Sequence, residues 1–495
     1  MPEPPPPKPD AADVYLRPIL SWLASHRDRA DLELEELAAQ LARLCAAPLP
    51  ARQTLKVLEM LFAGTALALE RQANQLGKAR IPLARQTRLQ FNTLLEVLDD
   101  FALAYEGVLS GLPHDAAPEE TRLILARIAT CLSRHLFVCH LVAAPPGRGI
   151  WQRLHGVFQR AILPTPEEPA PQPPIAYREA LLLACAQPAS FSAEALQFVA
   201  HYANAQARYL EILAYAPIDT QGVFWIDLSR DAAAFALARR PPPPDHLVYF
   251  FSCQAMAAQA RADLAALEQG QSPQALGLPS LAGTPIGKGT LRRLAAFWGK
   301  PGKRRFPRRR QSRRASLCAG LTRLWRLLRQ PDTDAAEALS QWMITNESPD
   351  GFALMHLHGK AGRIRVGDIV ALRPEATGEA AERWMICLVR WALSENPEHI
   401  EIGLQLLAPE ATPALLAIPS DPNNRAQTPA LILPALPPLR SEPVLVVPSG
   451  AVNDPEQRLL LLIEKDNLEI RQVRATGISE QTGTVEVFTI RNDAS

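Results

Sequence analysis

Up to about residue 161 the apolar residues of this chain recur at spacings of three and four. Beyond residue 340 they come instead in short runs set off by Gly, Asn, Asp and Pro. No one kind of element satisfies both patterns, so the chain must change architecture along its length. In the first part Leu34, Leu37, Leu41 and Leu44 mark one amphipathic face. Leu55, Leu58, Phe62 and Leu69 mark a second, and Phe91, Leu94, Leu95, Leu98, Phe101 and Tyr105 a third. Pro48 and Pro50 divide the first two, and Gly111 and Pro113 end the third. Pro118 with Glu119 and Glu120 reads as a helix start, with proline in the first turn and acids near the positive end of the dipole. Short connections between such helices predict an antiparallel bundle over residues 11–163, behind a proline-rich tail at 1–10.

Proline divides the rest. The chain holds 46 Pro against 25 Gly, and a residue that stiffens linkers and stops helices at that frequency predicts several units joined by stiff segments. Residues 164–175 read as such a linker. Residues 176–299 read as a helical or mixed α/β domain. Helical patterning there covers 177–215, two β-like runs at 223–227 and 247–251 are separated by a helix and by Pro241 to Pro244, and a helix follows at 254–269. Strand-like runs then appear at 341–345, 352–357, 366–372, 383–393 and 398–407, which suits a meander or small barrel over 300–420. Further short runs at 430–433, 444–447, 458–464, 468–474 and 484–490 predict a β-rich extension over 421–495. No internal repeat stands out.

Charge is distributed unevenly. The 52 Lys and Arg nearly balance the 51 Asp and Glu, yet residues 288–329 hold 15 basic residues and no acid. Removing those 15 leaves 37 basic against 51 acidic residues elsewhere, a balance of −14. One short segment therefore carries a strong positive field inside an acidic protein. The seven scattered Cys include no CxxC, so neither a disulfide framework nor a zinc site is expected, and a reducing cytosol fits. The N-terminus shows no apolar signal region, and the most apolar stretch, 123–144, is broken by Arg127, Arg134 and His135. A cytoplasmic protein is expected.

Two local features carry chemistry. The basic run is densest over 303–314, where guanidinium forks suit phosphate oxygens and purine Hoogsteen edges. Asn346, Ser348 and Gly351 form an NxSxxG turn between two predicted strands, pairing an amide, a hydroxyl and a residue that allows close backbone approach. With the Gly367-Asp-Ile-Val-Ala-Leu372 run, Val389-Arg-Trp391 and Ile402-Gly-Leu-Gln-Leu-Leu407, this order resembles a PilZ domain over residues 300–410. The resemblance implies a six-stranded barrel that binds the bacterial second messenger cyclic di-GMP. In that family an RxxxR pair just ahead of the barrel grips guanine edges and phosphates, and the (D/N)xSxxG turn holds the other guanine face. Carried over, Arg304 and Arg308 match RxxxR, with Arg305/Arg309, Arg309/Arg313 and Arg310/Arg314 as alternative registers. The implied cyclic di-GMP set is Arg304, Arg308, Arg309, Arg313, Asn346, Ser348 and Gly351, and Arg390 faces either ligand or solvent. The fold expected is thus multidomain α+β, an N-terminal all-α helical bundle with a C-terminal PilZ-like antiparallel β-barrel and an additional β-rich extension. About 37 residues separate Arg308 from Asn346, and the excess reads as a short strand running into a basic amphipathic helix built on Leu321, Leu324, Trp325, Leu327 and Leu328.

Other motifs lead nowhere. The segment 283–290 misses the phosphate-loop spacing, His356 and His358 lack a third ligand, and Asp332 with Asp334 reads as a helix cap. No nucleophile or acid–base set emerges. The expectation is a non-enzymatic receptor without metal or cofactor, coupling cyclic di-GMP at the barrel to an unidentified protein partner on the helical part. Ligand closure would order residues 300–314. The alternatives are a barrel that serves only as a scaffold, and a nucleic-acid-binding protein using 288–329. Trp298, Trp325, Trp342, Trp384 and Trp391 cluster near the barrel and read as core or packing residues, with base stacking by Trp298 beside the basic run as the alternative.

Overall fold

The first helical faces become α1 (Ala11–His26), α2 (Leu34–Cys45), α3 (Ala51–Leu76), α4 (Arg85–Gly111), α5 (Pro118–Leu141) and α6 (Ile150–Ala161). The computed structural model describes residues 11–492 apart from 28, 30, 80–81, 114–115, 164–171, 303–305, 331–338, 359–363, 376–382, 396–398, 418–426, 453–457 and 465–467. Each helix buries the stripe its spacing defines: Leu37, Leu41 and Leu44 in α2, and Leu94, Leu98, Phe101 and Tyr105 in α4. Helix α5 is long and apolar enough to cross a membrane by length and composition, but most of it is buried among its neighbours. Its Arg127 is paired with Glu59 of α3 at 2.7 Å, and the same carboxylate accepts the Tyr105 hydroxyl at 2.5 Å. A half-buried carboxylate with these partners ties α3, α4 and α5 together.

The helical part continues through α7 (Ile175–Cys185) and α8 (Ala193–Ala207), then β1 (Val223–Asp227), β2 (Phe235–Ala236) and β3 (Val248–Ser252), and then α9 (Gln254–Glu268) and α10 (Pro285–Gly299). The three strands form a small sheet in the order β2-β1-β3. One continuous apolar core runs from Ile19 to Trp298, so residues on both sides of the 164–175 segment share it. The long helical pattern at 177–215 is broken where Gln187 takes φ 58° ahead of Pro188.

The helix expected between β1 and β3 is absent, and turns with the short strand β2 take its place. The cause is tertiary. The Asp231 carboxylate accepts backbone N–H groups of Gly149, Trp151 and Gln152 at 2.5–3.2 Å, at the start of α6 eighty residues earlier. The buried His155 ring contacts the Ala232 carbonyl at 2.9 Å. An acid satisfying orphan donors at a helix N-terminus outweighs the helix propensity of the alanines around it. Asp231→Ala is expected to lower stability by about 1–2 kcal/mol in urea unfolding, and Asp231→Asn by less than half of that.

Beyond α10 the chain is almost wholly β. Strands β4 (Arg309–Ala319), β5 (Ser340–Ser348), β6 (Gly351–His358), β7 (Ile369–Pro374), β8 (Met385–Ser394) and β9 (Ile400–Ala408) close into a barrel in the order β4-β5-β6-β9-β8-β7. The expected basic helix follows β4 as α11 (Leu321–Arg329). The C-terminal extension is a second closed barrel of β10 (Thr412–Ala417), β11 (Thr428–Leu433), β12 (Val444–Pro448), β13 (Arg458–Glu464), β14 (Leu468–Gln481) and β15 (Val485–Asn492). Its order is β10-β11-β12-β15-β14-β13. Numbered within each barrel, both run first, second, third, sixth, fifth, fourth. The chain therefore carries one barrel topology twice, with no visible sequence repeat.

The barrels share a core of their own. Ile369 and Ala371 of the first meet Leu431, Leu433, Val444 and Val446 of the second, and Leu321, Leu324 and Leu327 of α11 pack into the same cluster. Alternate residues of these strands, such as Val370, Leu372, Ile432 and Leu445, fill the barrel interiors. Strands buried on both faces lose the apolar–polar alternation of a half-exposed strand. Contacts to the helical part complete the assembly. Ser394 N–H donates to the Ala143 carbonyl at 2.8 Å, and Gly289 of α10 lies so near β14 that an added Cβ would stand 2.4 Å from the Gln481 carbonyl oxygen.

Candidate nucleotide site on the first barrel

The chain leaves α10 at Gly299, passes Pro301, Gly302 and Pro307, and enters β4 at Arg309. Arg304 lies outside the described residues, as do Asp332 and Asp334. Arg308 is exposed just ahead of the strand. From there β4 runs antiparallel beside β5, pairing Arg309 with Glu347, Arg310 with Asn346, Arg313 with Ile344 and Arg314 with Met343, with a register shift between Arg310 and Arg313. Cross-strand partners share a face of the sheet. Ile344 belongs to the barrel interior. Arg313 thus turns inward at the barrel mouth, where it meets the Glu347 carboxylate at 3.4 Å and its Nε is buried without a partner. Asn346 is opposite Ala353, whose neighbours Phe352 and Leu354 fill the interior, so Asn346 and Arg310 lie on the outer face. Arg314 follows on that face, opposite Met343. Arg309, Arg310 and Arg314 are all exposed.

The turn is preorganised. Ser348 Oγ lies 2.7 Å from Asp350 Oδ1 and 3.1 Å from the Gly351 carbonyl oxygen. Gly351 opens β6 opposite Gln405, and a Cβ there would meet the Leu404 carbonyl oxygen at 2.0 Å. Only glycine fits so close to a neighbouring backbone. The Asn346 amide makes no side-chain hydrogen bond among the described residues, which leaves two donors and an acceptor beside the Arg310 guanidinium.

A cleft of about 370 Å³ flanks the other side of the turn, between Asp350, Gln405 and Leu406 of the first barrel and Arg440, Ser479 and Glu480 of the second. Arg440 lies in the loop between β11 and β12, the counterpart of the β5–β6 turn. It donates to the Leu407 carbonyl at 3.0 Å and to the Glu442 carbonyl at 3.0 Å. Arg390 is only partly exposed and is held by side chains of both barrels. Its Nε meets Gln405 Oε1 at 2.5 Å and its Nη1 meets Glu480 at 3.0 Å, so it links the two barrels. Trp298 cannot stack on a base, because it is fully buried, donates to the Leu182 carbonyl at 3.0 Å and stacks on Tyr202. An indole on the apolar face of α10 is core first. His356 packs edge-on against Trp342 inside the first barrel wall, with ring centroids 5.0 Å apart.

The outer-face pair Arg310/Arg314 was legible only as one of four equal spacings, and Arg440 carried no signal. Its place depends on how the second barrel docks. What the site offers chemically is a row of exposed guanidinium groups beside an unfilled amide and a tight polar turn.

Comparison with known families agrees with this geometry. Residues 326–413 match the family model described as the middle PilZ domain of the cyclic-di-GMP receptor FimW, and residues 17–217 match the N-terminal domain of the same receptor. The first match contains the NxSxxG turn and strands β5 to β9, and it begins after the arginines of β4. No curated protein gives a significant match.

Proposed function

We propose, from the membership of the first barrel in the PilZ family, that this chain is a cytoplasmic, non-catalytic cyclic di-GMP receptor whose nucleotide lies on the outer face of that barrel. The observation that carries the reading is the pairing of Arg310 with Asn346, which sets a guanidinium fork and a free amide side by side at the edge of the NxSxxG turn. Arg308 and Arg314 flank them on the approach and along the strand. Guanine presents O6 and N7 as a bidentate target for such a fork, worth roughly 1–3 kcal/mol per pair in discrimination. Phosphate oxygens take the remaining donors. Two or three such contacts with stacking reach micromolar affinity, about −8 kcal/mol. Residues 309–314 are already paired in β4, so closure over the ligand falls to the approach at Arg308; fixing that approach subtracts from the affinity and supplies the switch. The signal passes to the helical part, and to a protein partner there, through the Ser394–Ala143 and Gly289–Gln481 contacts.

Calorimetric titration of the whole chain with cyclic di-GMP tests this. The wild-type chain is expected to bind at tens of micromolar or tighter. Asn346→Ala and Arg310→Ala should each weaken binding about tenfold or more, and hydrogen exchange over 300–308 should slow at saturation. No heat at 100 µM, roughly a hundred times the dissociation constant reasoned above, would leave the barrel a scaffold.

A further inference from the structure

Helix α5 holds a cation with nothing to bond to. Arg134 is half-buried, its Nη1 is shut off from solvent without an acceptor, and its guanidinium makes no hydrogen bond or ion pair among the described residues. Its only ring contact among the described residues is Phe62, 5.8 Å from the guanidinium carbon, and that ring is already taken more closely by Arg127 at 4.9 Å. Two turns earlier on the same helix, Arg127 shows the usual arrangement, a two-pronged pair with Glu59. A guanidinium nitrogen cut off from both water and acceptor is costly, and native structures rarely keep one without a use.

Arg134 lines a cleft of about 630 Å³ between α3, α4, α5, α7 and α8. The apolar walls are Leu69, Leu94, Leu98, Phe137, Val138 and Ile175. Ser133 opens onto the same space. Two acids also line it. Glu179 is held by the Asn204 amide at 2.9 Å; burial pushes its carboxyl pKa up, and that hydrogen bond and the charge of Arg134 oppose the push, though the two side chains form no direct ion pair. Glu70 stands exposed at the rim. The volume falls in the range of small-molecule sites, roughly 300–1,000 Å³, which combine apolar walls with a few polar groups.

We infer that this cleft is a ligand site, separate from the nucleotide site, for a small amphiphile with one anionic head on Arg134 and an apolar tail along the α4–α5–α7 walls. A carboxylate or similar head matches the guanidinium fork, and Phe137 and the exposed Ile175 gain by leaving water. The inference does not rest on the nucleotide reading. A plain inorganic anion would leave the apolar walls empty, and a plain hydrocarbon would leave the guanidinium unmet.

The test is calorimetric titration of the full chain with sodium decanoate, decanol and decylamine, each below its aggregation threshold. Decanoate should bind at one equivalent and at least about tenfold tighter than either of the others. Arg134→Met should weaken decanoate about tenfold or more and leave decanol unchanged, the second result showing that the cleft is still formed. Ala200→Trp, which fills the cleft from α8, should abolish binding of all three. Equal binding of the three probes, tightest binding of decylamine, or undiminished decanoate binding by Arg134→Met would overturn the assignment.

Discussion

A Gly403→Ala chain is expected to lose about 3 kcal/mol or more of first-barrel stability. Gly403 on β9 is the cross-strand partner of Trp391 on β8. The indole lies flat over it, so that an added Cβ would stand 1.7 Å from Nε1 and 2.2 Å from Cε2. A methyl group cannot share that space, and the ring must swing out of its rotamer and off the sheet. Urea unfolding followed by tryptophan fluorescence measures the loss. The double variant Gly403→Ala with Trp391→Ala separates the cause. If the ring is the obstacle, Gly403→Ala should cost under about 0.5 kcal/mol in the Trp391→Ala background. Gly351 provides the contrast. There the obstacle is the Leu404 carbonyl, a backbone atom, so no second side-chain change can rescue Gly351→Ala, and nucleotide binding should go with the fold of the turn. A Gly403→Ala chain within 0.5 kcal/mol of the parent, the usual range of neutral surface changes at roughly ±0.5 kcal/mol, would show that the indole moves freely.

The helical half was readable because each helix buries a single stripe, and the spacing of Leu37, Leu41 and Leu44 or of Leu94, Leu98 and Phe101 records that stripe directly. The failure at 229–240 has the opposite origin. Asp231 acts on an N-terminus eighty residues away, and no local pattern encodes that. The barrel strands were mostly legible as apolar runs, but β10 was not. Its sequence, Thr412-Pro-Ala-Leu-Leu-Ala417, is short and contains a proline, and it becomes a strand by pairing with β11 and β13. The repeated topology was invisible for a related reason. A closed barrel asks only for inward apolar residues, and where the two barrels meet, Leu431, Val444 and Val446 also face an apolar neighbour, so each strand's pattern depends on what lies outside it.

The candidate site divides along the same line. The NxSxxG turn is a local motif within six residues, closed by the Ser348–Gly351 contact, and it could be read from three positions. Which arginines serve it could not, because four pairs share the RxxxR spacing. The outward face of Arg310 and the inward turn of Arg313 follow from the register shift against β5, a property of two strands rather than of one segment.

Register and docking meet again at Glu480, where the largest electrostatic effect is expected. Glu480 sits on β14 between two cations. Arg390 of β8 pairs with it, each side chain about a quarter exposed. Arg293 of α10 is close enough that burial, followed by the charge of Arg390, pulls its pKa down to about 10, and Glu480 opposes that pull. Arg293 in turn reaches the Ser190 carbonyl and lies over the Phe191 ring at 4.3 Å. One carboxylate thus neutralises the point where both barrels and the helical part converge. Glu480→Leu leaves Arg390 and Arg293 facing each other without an anion, and should cost about 2–3 kcal/mol, the low end for breaking a buried pair because both partners keep some solvent. Removing Arg390 as well relieves the repulsion, so Arg390→Leu with Glu480→Leu should be more stable than Glu480→Leu alone. The same cluster braces the NxSxxG turn, since Arg390 holds Gln405 and Gln405 pairs with Gly351. Unfolding of the single variant should therefore split into separate helical and barrel transitions, where the parent shows one. A Glu480→Leu chain as stable as the parent, or a double variant less stable than the single, would show that the carboxylate does not hold the three parts together.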